Sequence, residues 1–469
     1  MEKVMEFLGK EVKKCTITQI GAGCFFEEKT ASGMLPPFTR IELLVRPGEG
    51  SNIRIEVWLP DESFWNGRFV GTGNGGMAGE VRHERLSVYL EKGYACANTD
   101  MGTSGGELCG FGNSDVRADF GWRATHIMTK LSKALIREYY GRAPVYSYFV
   151  GASTGGQQAF SEAQRFPGDY DGICAGVPGF YRTALHMYFC WNYVNLHSAD
   201  GTPVLNKEEI CEISRLAPIY FKEKLGAPAA EPFVSYPWHG NDTPVAFVSW
   251  LSERCRWMTE KKAAALRAVY SGPADPVSGK RIYCGMPIGA ETQEGGMLTF
   301  SAEKCPNFYP FLWTFGPEMA PAKFDFSEMA EKMQELLSEE MDAVSTDLSG
   351  FSCSGGKMIG YSGSADPWVP YAMSFDYVEK SAEKAGGIKK LQEFFRYFLI
   401  PGRAHHGGPG MTELSTVESR AEDVFQALVE WVEDGVTPDT LIAVGNGMER
   451  SVYPYGSEMF PFADHQKTW

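Results

Sequence analysis

The chain has 469 residues, 43% hydrophobic and 22% charged, with a formal net charge of −15. That composition is ordinary for a globular protein, and the length suffices for a large buried core with room for an insertion. The acidic balance and the lack of any apolar run of membrane-spanning length exclude nucleic acid and membrane as expected partners.

Residues 1–14, MEKVMEFLGKEVKK, mix charged and apolar positions and lack the uninterrupted apolar core of a secretory signal, so export is not expected. The cysteines, 11 in all, are scattered with no C-x-x-C pair, and Cys96 and Cys174 lie in apolar surroundings. Free thiols in a reduced, cytoplasmic setting are the expectation. FTRIELLVRP and SNIRIEVWLP, within residues 38–60, alternate apolar and polar positions and predict strands. NGRFVGTGNGGMAG reads as a short strand entering a glycine-dense loop, and GYACANTDMG as a further buried strand. Residues 123–140 predict a helix with Ile127, Leu131 and Leu135 on one face and Gly141 as its stop.

Residues 146–160, YSYFVGASTGGQQAF, read as strand, sharp turn and helix start, and residues 172–177 as another short strand closed by Pro178. This order predicts crossover units on a mostly parallel central sheet, an α/β fold. From about residue 200 to 345 helical patterns such as WMTEKKAAALRAVYSG are separated by Pro/Gly/aromatic stretches with few strand candidates. The strand–loop–helix rhythm returns with KMIGYSGSADPWVP and FFRYFLIPGRAHHGG, and residues 420–433 predict the last clear helix, with Val424, Leu428 and Trp431 on one face. The expected organisation is a discontinuous catalytic domain, residues 1–200 and 346–469, with a lid domain inserted at 201–345.

Gly151-Ala152-Ser153-Thr154-Gly155 has the G-x-S-x-G pattern of a nucleophile elbow. A serine on a tight strand-to-helix turn sits where helix N–H groups and the dipole favour developing negative charge. Such a serine needs a base, and the base needs an acid to hold its tautomer. Asp366 follows the predicted strand 357–361, and His405 and His406 follow the predicted strand 394–400. Alone, a strand-end Asp is more often a turn former and a single His a structural hydrogen-bonder; with the elbow, the three placements support one another. Adjacent histidines cannot both present Nε2 to one Ser Oγ, so the residues by themselves leave His405 and His406 open. For the oxyanion, the loop at residues 71–76 offers an N–H of Gly76 or Gly75, with Thr154 N–H as second donor. A phosphate-binding reading of that loop would require an immediate long helix and a Lys-Ser/Thr pair, and neither follows. Neither Cys109 nor Cys353 has the neighbouring His pattern of a thiol nucleophile, and His126 is read as structural. The aromatic segment PNFYPFLWTFG supplies candidate substrate-wall residues Phe311, Trp313 and Phe315, although any one of them is more simply core.

From the glycine loop through TDMG, RATHIMTKLSKALIREYYG, SYFVGASTGG, AQRFPGDYDGICAGVPG, MIGYSGSADPWVPY, PGRAHHGG and EWVEDGVTPDTL, the sequence resembles the tannase/feruloyl esterase family of α/β-hydrolases. The resemblance covers most of the chain. It implies a serine esterase acting on aromatic or phenolic acid esters, feruloyl or galloyl among them, with a lid inserted before the acid. It assigns Ser153 as nucleophile, Asp366 as acid and His405 as base, a mechanism for which no cofactor and no metal is expected. Secreted members of the family carry Cys just before the serine and just after the histidine, joined as a disulfide; here those positions are Ala152 and His406. They also bind calcium in the lid, whereas residues 200–242 lack a D-x-D-x-D-G spacing. Thr103 stands where the family often has His, and Gln157 where it has Arg. Gln157 and His406 therefore join the substrate-binding candidates. Two alternatives are a weakly active relative that binds a phenolic ligand and an acyltransferase using the same triad. The sequence carries no signal for oligomeric state.

Overall fold

Alternating side chains in VKKCTITQI, FTRIELLV and IRIEVWLP form β1 (Val12–Ile20), β2 (Phe38–Val45) and β3 (Ile53–Pro60). In β2, Ile41, Leu43 and Val45 are buried while Arg40, Glu42 and Leu44 are half-buried, as the pleat requires. The three strands pair antiparallel in sequence order. The computed structural model describes residues 9–22, 35–226, 233–237, 242–408, 410, 413–416 and 423–461, and the chain divides into two compact units. Residues 1–8 and 420–422, which entered the expectations above, lie outside the described residues.

The first unit comprises Met1–Phe180, Phe311–Pro317 and Leu337–Met358. Beyond the antiparallel edge it adds β4 (Arg68–Thr72), β5 (Ala95–Thr99), β6 (Tyr146–Ala152) and β7 (Gly172–Gly176), giving the spatial order β1-β2-β3-β5-β4-β6-β7. β3 meets β5 antiparallel, and β5, β4, β6 and β7 run parallel, as the crossover reading requires. Strands covered on both faces need no polar side, so ACANT and GICAG are buried throughout. The crossovers are helices His83–Glu91, Ala124–Tyr140 and Thr154–Arg165.

Helix Ala124–Tyr140 ends, as expected, at Gly141 with φ 70°. Its inward face runs through Thr125, Met128, Thr129, Ser132, Leu135 and Ile136, whereas Ile127 and Leu131 are only half-buried. Small hydroxyl side chains let the helix lie close, because they can return their hydrogen bonds locally: Thr129 Oγ1 donates to Thr125 O at 2.9 Å and lies 2.5 Å from Tyr170 OH.

The antiparallel part of this sheet carries a charge cluster around the buried Glu56. Glu56 accepts from Arg40 Nε and Nη2 at 2.8 and 2.6 Å and from Trp58 Nε1 at 2.9 Å, and meets His83 Nε2 at 2.9 Å. Burial alone would raise its pKa, but the bonds from His83, Arg40 and Trp58 outweigh it and bring the carboxyl from 4.5 down to about 2. Because the folded value is depressed, its contribution to stability is complete above the unfolded value and disappears as pH falls through the folded one. Glu56→Gln should therefore destabilise the chain by about 2–4 kcal/mol at pH 7. Chemical denaturation should show this difference shrinking as pH drops from 4.5 towards 2. A difference that stayed constant over that window would contradict the assignment.

The second unit comprises Tyr181–Pro310, Glu318–Leu336 and Ile359–Trp469. Among the described residues, no strand of either sheet lies between β7 and β8 (Lys357–Gly363), and this unit begins with helices Arg182–Asn195, Lys207–Leu225, Thr243–Arg254 and Glu260–Ser271. Their shared core includes Leu185, Tyr188, Ile213, Phe247, Leu266 and Phe300. Asn206 and Glu209 form a reciprocal capping box at the second of these helices, and Thr259 caps the fourth. β8 neighbours β9 (Phe395–Ile400). A separate antiparallel sheet follows: β10 (Glu413–Thr416), β11 (Leu441–Gly445) and β12 (Met448–Val452). The last two are joined by Asn446-Gly447, with φ of 51° and 70°. That is the left-handed pair a two-residue hairpin turn needs. The last helix among the described residues is Val424–Glu433, with Asp423 accepting from Gln426 N–H as its N-cap.

Candidate active site

In the first unit, β6 ends at Ala152 and helix Thr154–Arg165 begins two residues later, so Ser153 alone makes the turn. Its φ is 63° and ψ −116°, a strained conformation for a residue with a Cβ, costing on the order of 1–3 kcal/mol. The surroundings hold it on both sides. Ser153 N–H donates to Gly176 O at 3.0 Å, and its carbonyl accepts from Gly179 and Gln157 N–H at 3.1 Å each.

The glycine spacing follows from backbones that touch. A Cβ on Gly151 would lie 2.4 Å from Gly155 O, and one on Gly73 would lie 2.5 Å from Gly155 Cα. No side chain fits at these crossings, so the loop after β4 passes directly against the elbow. Gly155 N–H donates to Asn74 O and Asn74 N–H to Gln158 Oε1, both at 2.8 Å. Gln158 Nε2 in turn donates to Thr125 Oγ1 at 2.8 Å. Thr154 Oγ1 donates to Gly76 O at 2.6 Å. The structure thus brings three oxyanion candidates, Thr154, Gly76 and Gly75, to one corner of this unit. Among the described residues, the N–H groups of Gly75 and Gly76 donate to no protein acceptor. Thr154 opens the helix, where the peptide dipoles present positive charge.

In the second unit, the loops after β8 and β9 are stitched together. Ser364 N–H donates to Ile400 O and Ala365 N–H to Arg403 O, each at 3.0 Å, and Gly402 N–H donates to Ser364 Oγ at 2.7 Å. Asp366 is fully buried on this platform. Its Oδ1 accepts from Trp368 and Val369 N–H at 2.9 and 3.0 Å, and its Oδ2 lies 2.8 Å from His405 Nδ1. A carboxylate can only accept, so Nδ1 carries the proton and Nε2 is left with its lone pair. His406 is exposed, with its ring edge-on to that of His405 at 4.6 Å. Of the two adjacent histidines, it is His405 whose ring meets the Asp366 carboxylate.

The remaining candidates fall elsewhere. Gln157 is buried, and its Nε2 donates to Met341 O at 2.6 Å. Trp313 is buried in the first unit, with Nε1 donating to Glu107 O at 2.8 Å and its ring edge-on to Phe120. Gly110 lies beneath that ring, where a Cβ would come within 2.3 Å of it. Phe311 is buried beside it in sequence, and Phe315 is half-buried. Reasoning from sequence missed Asn74, Gln158 and Ser364, which position the loops.

A sequence model of the family described as tannase and feruloyl esterase matches residues 40–218 and 318–460. An uncharacterized esterase from Xanthomonas campestris pv. campestris is 30% identical over 471 residues, spanning 91% of this chain and 81% of the relative. Feruloyl esterase C from Talaromyces stipitatus is 27% identical over 463 residues, spanning 88% of this chain and 80% of the relative. Of solved structures, feruloyl esterase B from Aspergillus oryzae matches with a TM-score of 0.76 at 24% identity, over 95% of this chain and 92% of that one. Tannin acyl hydrolase from Aspergillus niger matches with a TM-score of 0.74 at 19% identity, over 94% and 87%. These two likenesses show a shared fold, the α/β-hydrolase arrangement expected from the sequence.

Proposed function

Because the chain belongs to the tannase and feruloyl esterase family and is a carboxylic ester hydrolase, we propose that it cleaves phenolic acid esters through an acyl-enzyme on Ser153. The observation that carries this reading is the buried Asp366 carboxylate at His405 Nδ1, which fixes the tautomer a general base needs. His405 Nε2 takes the proton from Ser153 Oγ as Oγ bonds to the ester carbonyl carbon. The carbonyl oxygen becomes an oxyanion, held by N–H groups of Thr154 and of Gly76 or Gly75. As the carbonyl re-forms, the C–O bond to the alcohol breaks, and the alcohol leaves with the proton from His405. Water then attacks the acyl-enzyme by the same route, giving the free acid and restoring Ser153. Asp366 holds the ring through Nδ1 and stabilises the imidazolium.

The acyl class is drawn from the relatives, whose names specify feruloyl and tannin esters. A panel of methyl esters sharing one alcohol tests it. Hydroxycinnamate or gallate esters should exceed acetate and butyrate esters in kcat/KM by at least about tenfold, the selectivity of one well-filled apolar contact. Equal or reversed preference would remove the phenolic assignment while leaving the esterase intact.

A further inference from the structure

Three side chains of the first unit converge without any part in the chemistry above. His126 lies in the first turn of helix Ala124–Tyr140, Glu162 in the last turn of helix Thr154–Arg165, and Asp169 in the turn before β7. One ligand atom from each, an imidazole nitrogen and two carboxylate oxygens, lie within 4.8 Å of one another. Glu162 is fully buried, and among the described residues neither of its carboxylate oxygens has a hydrogen-bond partner. It faces the carboxylate of Asp169, whose Oδ2 lies 2.7 Å from His126 Nδ1. Two carboxylates at such range repel unless a proton or a cation lies between them. Lys133 is the nearby cation, but its Nζ donates to the Asp169 carbonyl oxygen rather than to either carboxylate. The His126 ring is stacked on Phe166, with centroids 3.6 Å apart and planes 10° from parallel, which fixes its donor direction. The side chains of His126 and Asp169 are 21% and 19% exposed, so an ion can enter from solvent.

We propose that His126, Glu162 and Asp169 form a binding site for a divalent first-row metal ion of the zinc type. One imidazole and two carboxylates are a donor set zinc accepts, with a water completing the coordination. Bonds of about 2.0–2.2 Å would place the ligand atoms roughly 3.2–3.6 Å apart, so a modest inward adjustment closes the site. The bound ion lies between the two carboxylates and balances their charge. It joins three segments, one of which is the helix that carries Ser153 at its N-terminus. Its role is to hold that helix, not to act on substrate.

The test is titration of the metal-stripped, full-length chain with Co²⁺, followed by its visible d–d absorption. Saturation at one ion per chain, displacement by Zn²⁺ and no thiolate charge-transfer band are expected. His126→Ala and Glu162→Gln should each weaken binding by at least about a hundredfold, with ester hydrolysis retained as the check that the variants fold. Asp169→Asn serves as the third variant should Glu162→Gln fold poorly. An absent saturable spectrum, a thiolate band pointing to cysteine ligands, or unchanged affinity in the variants would overturn the site.

Discussion

Ser153→Ala is expected to lower kcat on a phenolic ester by at least about a thousandfold, with KM and melting temperature near those of the parent. The size follows from the proposed role of the hydroxyl: it would supply the atom that bonds to the acyl carbon, and without it no acyl-enzyme could form. What survives comes from orientation and the oxyanion donors, which in serine hydrolases leave on the order of 10³–10⁴ over the uncatalysed reaction. The elbow itself does not depend on Oγ. Its strained φ of 63° is held by main-chain bonds to Gly176, Gly179 and Gln157, all of which alanine keeps. A variant with comparable turnover and no loss of stability would remove Ser153 from the mechanism.

Asp366→Asn is expected to cost roughly 10³–10⁴ in kcat, for a different reason. The side chain keeps its shape, and one atom can still accept from Trp368 and Val369 N–H, as Oδ1 does now. The other atom then becomes an amide NH₂ facing His405 Nδ1, where Oδ2 now sits at 2.8 Å. A donor there selects the opposite tautomer, placing the imidazole proton on Nε2, where it cannot take one from serine. The loss should appear in kcat rather than KM, because the ground-state complex makes no use of the proton. His406→Ala, at an exposed position beside the pair, should stay within a few-fold of the parent. A tenfold or smaller effect of Asp366→Asn would mean that His405 is not the base.

The elbow was legible in the sequence because its geometry forbids side chains. Backbone contact at Gly73, Gly151 and Gly155 leaves no room for a Cβ, so the pattern of glycines is written into the chain. Asp366 and His405 were legible as polar residues just after strands, where loops at one end of a parallel sheet gather. The choice between His405 and His406 was not, since the two neighbours are chemically identical until a carboxylate singles one out. Gln158 was opaque for another reason: a glutamine in a helix looks like a solvated side chain. Its burial arises only because the glycine loop comes close enough to offer Asn74 N–H. Direction of pairing was hidden too. Alternation in β2 and β3 reports one buried face, not whether the neighbour runs parallel, so the antiparallel edge had to be seen in three dimensions. β1 escaped notice because among its residues only Val12 and Cys15 are buried. The hairpin of β11 and β12 does carry a signal in the sequence, Asn446-Gly447 between alternating segments.

The most direct measurement is reaction of the native chain with an aryl-bearing fluorophosphonate, followed by mass spectrometry of its peptides. One adduct per chain, located on Ser153 and lost in Ser153→Ala, is the predicted result. An adduct on another residue, or hydrolysis that continues unchanged in the fully treated protein, would contradict an acyl-enzyme at this position.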